Sequence, residues 1–439
     1  MRVYLTVPVG EQVERLVDRQ LGETPARWRG AGERDRDRVL YSSAFQRLGG
    51  VTQVTAPEPG HAFHTRLTHS LKVAQVARAC ARMLKQQNLT GTAAQVVACL
   101  DPEAVEASAL AHDLGHPPFG HIAEERLDAN AVDAGGFEGN AQSFRILTRL
   151  AVQARNPRGL NLTRQTLNGV LKYPWVRASA HGTKWGIYDD DLVAFGWVRE
   201  DSASVEPSLG ARLMDWADDL TYAVHDVDDF YRAGLIPLDR LASGGAELER
   251  FHARLLETRQ ANSKADADVL VNALRDALSL FKISEAYSGA EDQRIALRGF
   301  GSRLIGRYVE AVEVRDPGIP GKAALVIEDK LAQQVRALKA ATWLYVVRRP
   351  SLAVMQHGQR LMIDRLFEWY YDATALGGDT RLLPPTYQER LSPDATSADR
   401  MRLVADLIAS LSEQAAIELH RRLGGTGPGS AMDATARVH

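Results

Sequence analysis

One short segment, from Ala107 to Glu124, constrains the fold more than any other part of the chain. It begins with small residues that favour an α-helix, and Gly115 followed by Pro117-Pro118 ends that helix. A second helix is predicted to begin near His121, which places Glu124 one turn later on the same face. The sequence therefore predicts two helices joined by a tight, histidine-rich turn.

The first of these helices ends with His112 and Asp113, a pair that can bind a metal ion. Adjacent helical residues diverge by about 100°, so the two side chains can share an ion only if it lies beside the helix. Imidazole and carboxylate together suit Mn, Fe, Co, Ni or Zn more than Mg alone. The alternative is a helix end with ordinary polar residues, so a metal site requires partners elsewhere in the chain.

The composition is that of an ordinary globular protein. The 439 residues are 45% hydrophobic and 25% charged, and the net charge of −2 argues against bulk binding to nucleic acid. Cys80 and Cys99 are too few for a disulfide framework, and they favour a reducing, cytoplasmic location. Residues 1–10 lack the pattern of a signal peptide, and no apolar run reaches membrane-spanning length. We expect no membrane association.

Helical periodicity dominates the chain, so the predicted fold class is all-α. Residues 1–30 have little pattern and are interpreted as an N-terminal arm. Residues 31–235 are predicted to form the main helical domain, in which 155–206 are a loop and hairpin insertion near the pocket. Residues 236–425 are predicted to form a helical C-terminal region packed on that domain, and 426–439 a disordered tail.

A strong helix is predicted for residues 207–233. It carries Asp218, Tyr222 and Asp226 at intervals of four residues, so these side chains form one stripe along its face. Such a stripe suits the wall of a polar pocket. The alternative is a solvated acidic face, but four apolar neighbours argue against full exposure: Leu213, Trp216, Leu220 and Val224.

His69 lies in the first turns of a helix predicted from about Thr65 to Gln87, and Arg66 precedes it by one turn on the same face. A single histidine on an apolar helix is more often a buried core residue. A histidine that shares its face with an arginine is better explained by a metal ion next to an anion.

These motifs together resemble a known family. The order His69, His112-Asp113, Asp218 is similar to the H…HD…D signature of the HD superfamily of metal-dependent phosphohydrolases. Longer strings resemble the bacterial deoxyguanosine triphosphate triphosphohydrolases, namely YSSAFQRL at 41–48, TQV at 52–54, RLTHS at 66–70, HDLGHPPFGH at 112–121 and ADD at 217–219. The HD pair alone is a weak motif, whereas HDLGHPPFGH with its flanking strings is highly specific. One departure is Gln46, where the family often has Arg.

The resemblance implies an HD-domain helical bundle with a helical C-terminal extension. It implies hydrolysis of a deoxynucleoside triphosphate to the deoxynucleoside and intact triphosphate, with a divalent metal ion as cofactor (Mn²⁺, Mg²⁺, Co²⁺, Ni²⁺ or Fe²⁺). The four metal ligands implied are His69, His112, Asp113 and Asp218.

The resemblance also implies roles for the remaining site residues. The departing 5′-oxygen of the sugar needs a proton, and His121 supported by Glu124 is the expected general acid, with His116 near the phosphates. Seven residues are expected to contact the substrate: Arg47, Arg66 and Lys172 at the phosphates, Tyr222 and Asp226 at the sugar, and Gln53 and Tyr173 as further contacts. For Lys172 and Tyr173, the alternative is that they only anchor their loop.

Two other functions stay open at this point. One is another HD phosphohydrolase, acting on a monophosphate, a cyclic nucleotide or an alarmone. The other is a nucleotide-sensing regulator with a vestigial site, although every implied ligand and His121-Glu124 are present. We expect a homo-oligomer, with a nucleotide or single-stranded nucleic acid as a candidate effector. The sequence leaves open the preferred base and the metal used.

Overall fold

A computed structural model describes residues 2–6, 28–53, 64–152, 159–178, 182–199, 206–319 and 321–427. Most of these residues are helical. As far as residue 232, the α-helices within the described ranges are α1 Ala31–Leu40, α2 Ser43–Arg47, α3 Arg66–Lys85, α4 Gly91–Ala98, α5 Pro102–Ala111, α6 His121–Asn130, α7 Gly139–Arg145, α8 Arg164–Val170, α9 Leu192–Arg199 and α10 Leu209–Arg232.

The second half of the chain continues in the same manner. Its described helices are α11 Leu238–Ser243, α12 Ala246–Glu257, α13 Lys264–Leu278, α14 Glu291–Glu310, α15 Asp329–Thr342, α16 Pro350–Ala373, α17 Pro385–Arg390, α18 Ser397–Ala409 and α19 Glu413–Leu423. The predicted helical architecture is therefore confirmed.

A small antiparallel sheet accompanies the helices and was not predicted. Its strands are β1 Arg2–Thr6, β2 Val312–Arg315 and β3 Lys322–Ile327, in the order β1-β3-β2. The interpretation of residues 1–30 as an arm therefore missed a strand at its start. A strand of five residues whose partner lies in the other half of the chain leaves no periodic signal in its own neighbourhood.

Helices α3, α5 and α10 pack against one another in the centre of the larger hydrophobic core. Val73 on α3, Leu110 on α5 and Leu220 on α10 are all buried there. Since this core includes residues from Leu5 to Val346, it spans both sides of the domain boundary predicted at 235–236. That boundary stays a prediction.

A smaller core joins α6 to the C-terminal helices α16, α18 and α19. Leu127 of α6, Ile363 of α16 and Leu407 of α18 are fully buried in it. This packing fixes α6, which begins at His121, against the C-terminal region.

The segment 155–206 differs from the loop and hairpin that we expected. Its described part forms α8, a short 3-10 helix at Asp189–Asp191 and α9, with loops between them. Isolated β-bridges pair Val176 with Ile187 and Gly159 with Val152. Leu167 and Val170, three residues apart, are buried where α8 packs against α5 and α10, which explains the helix. Residues 155–158, 179–181, 200–205 and the tail from 428 to 439 lie outside the described residues.

Candidate metal centre and active site

Three of the predicted metal ligands come together where α3, α5 and α10 meet. His69 lies in the first turn of α3, His112 directly follows α5, and Asp218 is in the middle of α10. Their ligand atoms all lie within 4.8 Å of one another, and the Oδ1 atom of Asp218 is 3.0 Å from Nε2 of His69 and 3.7 Å from Nε2 of His112. Both histidines are buried. The packing of three helices thus assembles two imidazoles and a carboxylate around one point.

The bonding of His112 fits a cation at this point. Its Nδ1 lies 2.7 Å from the backbone oxygen of Ala109, which can only accept, so the ring proton is on Nδ1. The opposite nitrogen, Nε2, is buried and has no hydrogen-bond partner in the part of the chain that the structure describes. A buried lone pair without a donor is costly, and a metal ion would satisfy it.

The fourth predicted ligand, Asp113, lies beside the group formed by His69, His112 and Asp218 and is not part of it. Its Oδ1 is 3.4 Å from Nε2 of His112, while its Oδ2 accepts a hydrogen bond of 2.8 Å from Arg66. Burial opposes ionisation of Asp113, but its neighbours, first His112 and then the guanidinium of Arg66, outweigh burial and hold the pKa of Asp113 well below its usual range. Asp113 is an anion next to the centre, and its role as a ligand stays a prediction.

Asp218 is kept ionised by a lysine that the sequence analysis assigned to the substrate. Nζ of Lys172 is 3.4 Å from Oδ2 of Asp218 and 2.6 Å from Oδ1 of Asp215. Burial opposes the charge of Asp218, but Lys172 and the hydrogen bond from His69 outweigh it and hold the pKa of Asp218 well below its usual range. The loop after α8 therefore brings Lys172 to the group formed by His69, His112 and Asp218.

A second cluster contains His116, His121 and Glu124. Nδ1 of His121 is 2.6 Å from Oε2 of Glu124, and the two side chains are 72% and 8% exposed. Oε1 of Glu124 accepts a hydrogen bond of 2.7 Å from the backbone N–H of Gly139. A buried, anchored carboxylate thus orients an accessible imidazole, which is the arrangement that proton transfer to a substrate requires.

His116 belongs to the second cluster and also lies close to Asp113. Its Nδ1 is 3.1 Å from Oδ1 of Asp113, and its ring centre is 5.6 Å from that of His121. Burial, and then the charge of Arg66, lower the pKa of His116 to about 3. His116 is therefore neutral near pH 7.

The turn that carries these histidines depends on glycine at two places. A Cβ atom at Gly115 would lie 2.1 Å from the backbone oxygen of Gly139, so only glycine lets α7 approach this closely. Phe119 and Gly120 have φ values of 67° and 58°, and Gly120 is the residue before α6. The chain therefore turns sharply just before His121.

Arg47 bonds to the protein backbone in this structure, and its contact with the phosphates stays a prediction. Its guanidinium is buried and donates to three backbone oxygens, those of Leu114 at 2.7 Å, His116 at 2.9 Å and Leu411 at 3.1 Å. These bonds hold the turn in place, and they use three of the five N–H donors of the guanidinium. Burial, and then the neighbouring charge of Arg66, lower the pKa of Arg47 to about 10.

The stripe on α10 continues from Asp218 to Tyr222 and Asp226. Asp226 is buried, and its Oδ2 has no hydrogen-bond partner among the described residues. Burial, and then the charges of Asp229 and Asp218, raise the pKa of Asp226 well above its usual range. Tyr222 is half-buried between Asp218 and Asp226 along the helix. The ring of Tyr222 therefore lies one turn along α10 from Asp218, and the carboxyl group of Asp226 lies two turns from it.

Tyr173 and Gln53, the other two predicted substrate contacts, have few side-chain contacts with the groups described above. The ring of Tyr173 has Nζ of Lys172 at 5.9 Å from its centre. Oε1 of Gln53 is buried and has no hydrogen-bond partner within the described ranges. Gln53 follows Thr52, which forms a β-bridge with Thr65 at the start of α3.

Sequence reasoning missed several residues that the fold brings to these groups. Nζ of Lys339 on α15 is 5.8 Å from the ring centre of Tyr222 and bonds Oδ1 of Asp219. Nζ of Lys184 is 2.9 Å from Oε1 of Glu138 and 3.6 Å from Oε1 of Glu124. Lysines are common on helices and loops, so nothing in the local sequence distinguishes these two from surface residues.

Comparison with known proteins agrees with this geometry. The family model of the HD domain matches residues 66–223, and that of the phosphohydrolase-associated domain matches residues 325–422. Proteins named deoxyguanosinetriphosphate triphosphohydrolase-like from Streptomyces coelicolor, Corynebacterium efficiens and Rhodopseudomonas palustris are 39%, 37% and 34% identical to the chain. These alignments cover 90%, 92% and 94% of the chain, and 93%, 94% and 95% of the respective relatives. The chain belongs to this family.

Membership of the deoxyguanosinetriphosphate triphosphohydrolase-like family confirms the resemblance found in the sequence and makes the chain an HD-domain, phosphohydrolase-type protein. The HD match begins at Arg66 and contains every histidine of both clusters. In the described ranges, no helix has both the length and the apolar character needed to cross a membrane.

Proposed function

We propose that the protein is a metal-dependent hydrolase of deoxynucleoside triphosphates, which releases the deoxynucleoside and intact triphosphate. The observation that carries the proposal is the pairing of two clusters: a buried group of His69, His112 and Asp218, and the accessible His121 held by buried Glu124. The names of the relatives favour the same substrate class.

His69, His112 and Asp218 would hold the metal ion, with Asp113 as the fourth ligand. A divalent ion bound there lowers the pKa of water and offsets charge on the α-phosphate. The imidazole and carboxylate donors suit Mn²⁺, Fe²⁺, Co²⁺ or Ni²⁺, and Mg²⁺ is a further candidate.

The cationic side chains around the centre would bind the triphosphate. Arg66 is buried beside Asp113, and its Nε has no hydrogen-bond partner among the described residues. Lys172 near Asp218 and Lys339 near Tyr222 add two ammonium groups beside the α10 stripe. Guanidinium and ammonium groups suit phosphate oxygens, and neutral His116 can donate one further hydrogen bond.

His121 would complete the reaction. Water attacks the α-phosphorus, the bond from that phosphorus to the 5′-oxygen breaks, and the oxygen leaves with a proton from His121. An alkoxide is a poor leaving group, so this proton matters for the rate. The carboxylate of Glu124 keeps the imidazole in place and stabilises its protonated form.

The experiment that tests the proposal is product analysis. Purified protein with Mn²⁺ would be incubated with each of the four deoxynucleoside triphosphates and with GTP, and the products would be separated by ion exchange. The expected products are a deoxynucleoside and triphosphate in equal amounts, with no diphosphate. Asp218→Asn is the inactive control, since it removes one ligand of the metal group.

The same assay separates the alternatives. Release of pyrophosphate or phosphate in place of triphosphate would contradict the proposal. Turnover of a monophosphate, a cyclic nucleotide or an alarmone alone would identify another HD phosphohydrolase. Nucleotide binding without turnover would identify a sensing regulator. Homo-oligomerisation, and an effector such as a nucleotide or single-stranded nucleic acid, stay predictions.

A further inference from the structure

The turn between α18 and α19 reaches from the C-terminal region to the back of the active site. The backbone oxygen of Leu411 accepts from Arg47 at 3.1 Å. Ser412 lies so close to Gly50 that a Cβ atom there would be 2.8 Å from the Cβ of Ser412. Glu413, the first residue of α19, continues this line of contacts. Three consecutive residues thus contact the segment that precedes α3.

The carboxylate of Glu413 binds two loops at once. Its Oε1 accepts from the backbone N–H of Thr52 at 3.0 Å and from the backbone N–H of Phe119 at 3.2 Å. Its Oε2 accepts from the hydroxyl of Thr52. One side chain therefore joins the loop before Gln53 to the turn before His121.

Phe119 is the point at which this contact affects the geometry of the site. Its φ of 67° is in the left-handed region, which a residue with a bulky side chain rarely adopts. Such a conformation persists only where surrounding contacts hold it, and the acceptor for its N–H is Glu413. Two residues later, His121 begins α6. The direction of its imidazole therefore depends on a turn whose backbone is held by Glu413.

We propose that Glu413 is a positioning residue for the general acid His121, so that the C-terminal region sets the efficiency of proton transfer. The proposal rests on the hydrolysis proposed above. A purely structural contact between the C-terminal region and the core would affect turnover of every substrate. A positioning role predicts instead that the rate falls only for the step that needs a proton.

Two substrates separate these roles. One is a deoxynucleoside triphosphate, and the other is the same molecule with sulfur as the 5′-bridging atom, whose thiolate leaves with little need of a proton. Glu413→Ala is expected to lower kcat on the oxygen substrate by about 10- to 100-fold, because a small misplacement of a reacting group has effects of this size. We expect kcat on the sulfur substrate, and KM on both, to stay within about threefold of wild type.

Conservative variants and a matched control sharpen the result. Glu413→Gln keeps an oxygen that can accept from both N–H groups and should retain most activity, whereas Glu413→Asp is too short and should resemble Glu413→Ala. Glu418→Ala, one to two turns later on α19 and paired only with Arg421 and Arg422 in the described structure, should match wild type. Adding Glu413→Ala to His121→Ala should cause little further loss, because both changes affect one step.

Hydrogen exchange provides a readout that needs no substrate. In Glu413→Ala, amides of residues 114–121 should exchange faster, while those of α3, α5 and α10 stay as protected as in wild type. Unchanged exchange in the turn, or equal loss of kcat on both substrates, overturns the proposal. If wild type releases triphosphate from none of the nucleotides, the proposed function has failed, and the exchange data alone decide whether Glu413 holds the turn.

Discussion

His112 Nδ1 lies 2.7 Å from the backbone oxygen of Ala109, three residues earlier in the last turn of α5. Because the carbonyl can only accept, this contact fixes the ring proton on Nδ1 and leaves the lone pair of Nε2 in the buried centre. The bond is made within the chain and needs no metal ion. His112 is therefore oriented as a ligand before an ion binds.

The first prediction concerns metal binding. His112→Gln should weaken Mn²⁺ binding by about 100-fold or more, since losing even a residue that supports a ligand commonly costs 10- to 100-fold. Titration calorimetry on the metal-free protein measures this. His252→Gln, a surface change at a histidine paired with Asp268, is the control and should bind Mn²⁺ as wild type does. Equal affinity of the two variants for Mn²⁺ would show that His112 is not a metal ligand.

The second prediction concerns the general acid. His121→Ala should lower turnover by about 10²- to 10⁴-fold, the usual range for loss of a general acid, with metal content unchanged. Glu124→Gln should give a smaller loss, because the imidazole remains while its anionic partner is lost. Steady-state rates and metal analysis on the same preparations test both statements. Full activity of His121→Ala contradicts the assignment.

The third prediction separates two arginines. Arg47→Met leaves three buried backbone oxygens without a donor and should lower the free energy of unfolding by about 3 kcal/mol or more, at about 1–3 kcal/mol per group. Arg66→Met should instead act mainly on KM for the triphosphate. Chemical denaturation and steady-state kinetics on both variants provide the comparison. If Arg47→Met raises KM and Arg66→Met lowers stability, Arg47 is the residue that binds the triphosphate.

The fourth prediction is a pH dependence of stability from Asp226. Its pKa is raised in the folded protein by burial and by nearby carboxylates, so the folded state holds this proton more tightly than the unfolded state does. The free energy of unfolding therefore falls as pH rises from the unfolded pKa, near 4, through the raised folded value. Asp226→Asn should be more stable than wild type at pH 7, and the difference should shrink towards pH 4.

Thermal unfolding across this pH range, with a chelator present, measures the difference for Asp226. The control is Asp379→Asn, at a surface carboxyl whose pKa its hydrogen bond with Arg381 lowers. For Asp379→Asn, the free energy of unfolding relative to wild type should instead fall as pH rises, because the pKa of Asp379 is lowered in the folded protein. A gain for Asp226→Asn that does not depend on pH would mean that charge burial is not its cause.

The sequence was sufficient for residues whose signal is local. Helical periodicity placed α3, α5 and α10, and the turn residues Gly115 and Pro117 located the start of α6. His69, His112 and Asp218 could therefore be assigned to three helices, and the fold brings them together. Their role as metal ligands, however, was implied by the resemblance to the HD superfamily and not by periodicity.

Contacts between distant segments were not predictable in this way. Arg47 looks like a clamp in sequence, yet its three acceptors are backbone oxygens that any residue type would provide. Lys339 lies 120 residues from Asp219, and Glu413 lies 294 residues from Phe119. Only the packing of the C-terminal helices on α6 and α10 reveals these partners.

The last prediction concerns selection of the sugar. The half-buried ring of Tyr222 lies one turn from Asp226, whose unpaired Oδ2 can accept a 3′-hydroxyl. Both side chains project from the rigid helix α10, and Nζ of Lys339 is 5.8 Å from the centre of the ring. We expect the ring to pack near C2′, which would leave no room for a 2′-hydroxyl. dGTP should therefore be cleaved faster than GTP.

The size of this preference can be estimated. A blocked or unpaired hydroxyl costs about 1–3 kcal/mol, or roughly ten- to a hundred-fold in kcat/KM. Tyr222→Ala should lose most of this factor by gaining activity on GTP, whereas Tyr222→Phe should keep it, since the ring and not its hydroxyl excludes the 2′-oxygen. If Tyr222→Ala retains the full preference, another side chain reads the sugar, and Gln53 is the next to test. If wild type cleaves dGTP and GTP equally well, α10 does not select the sugar at all.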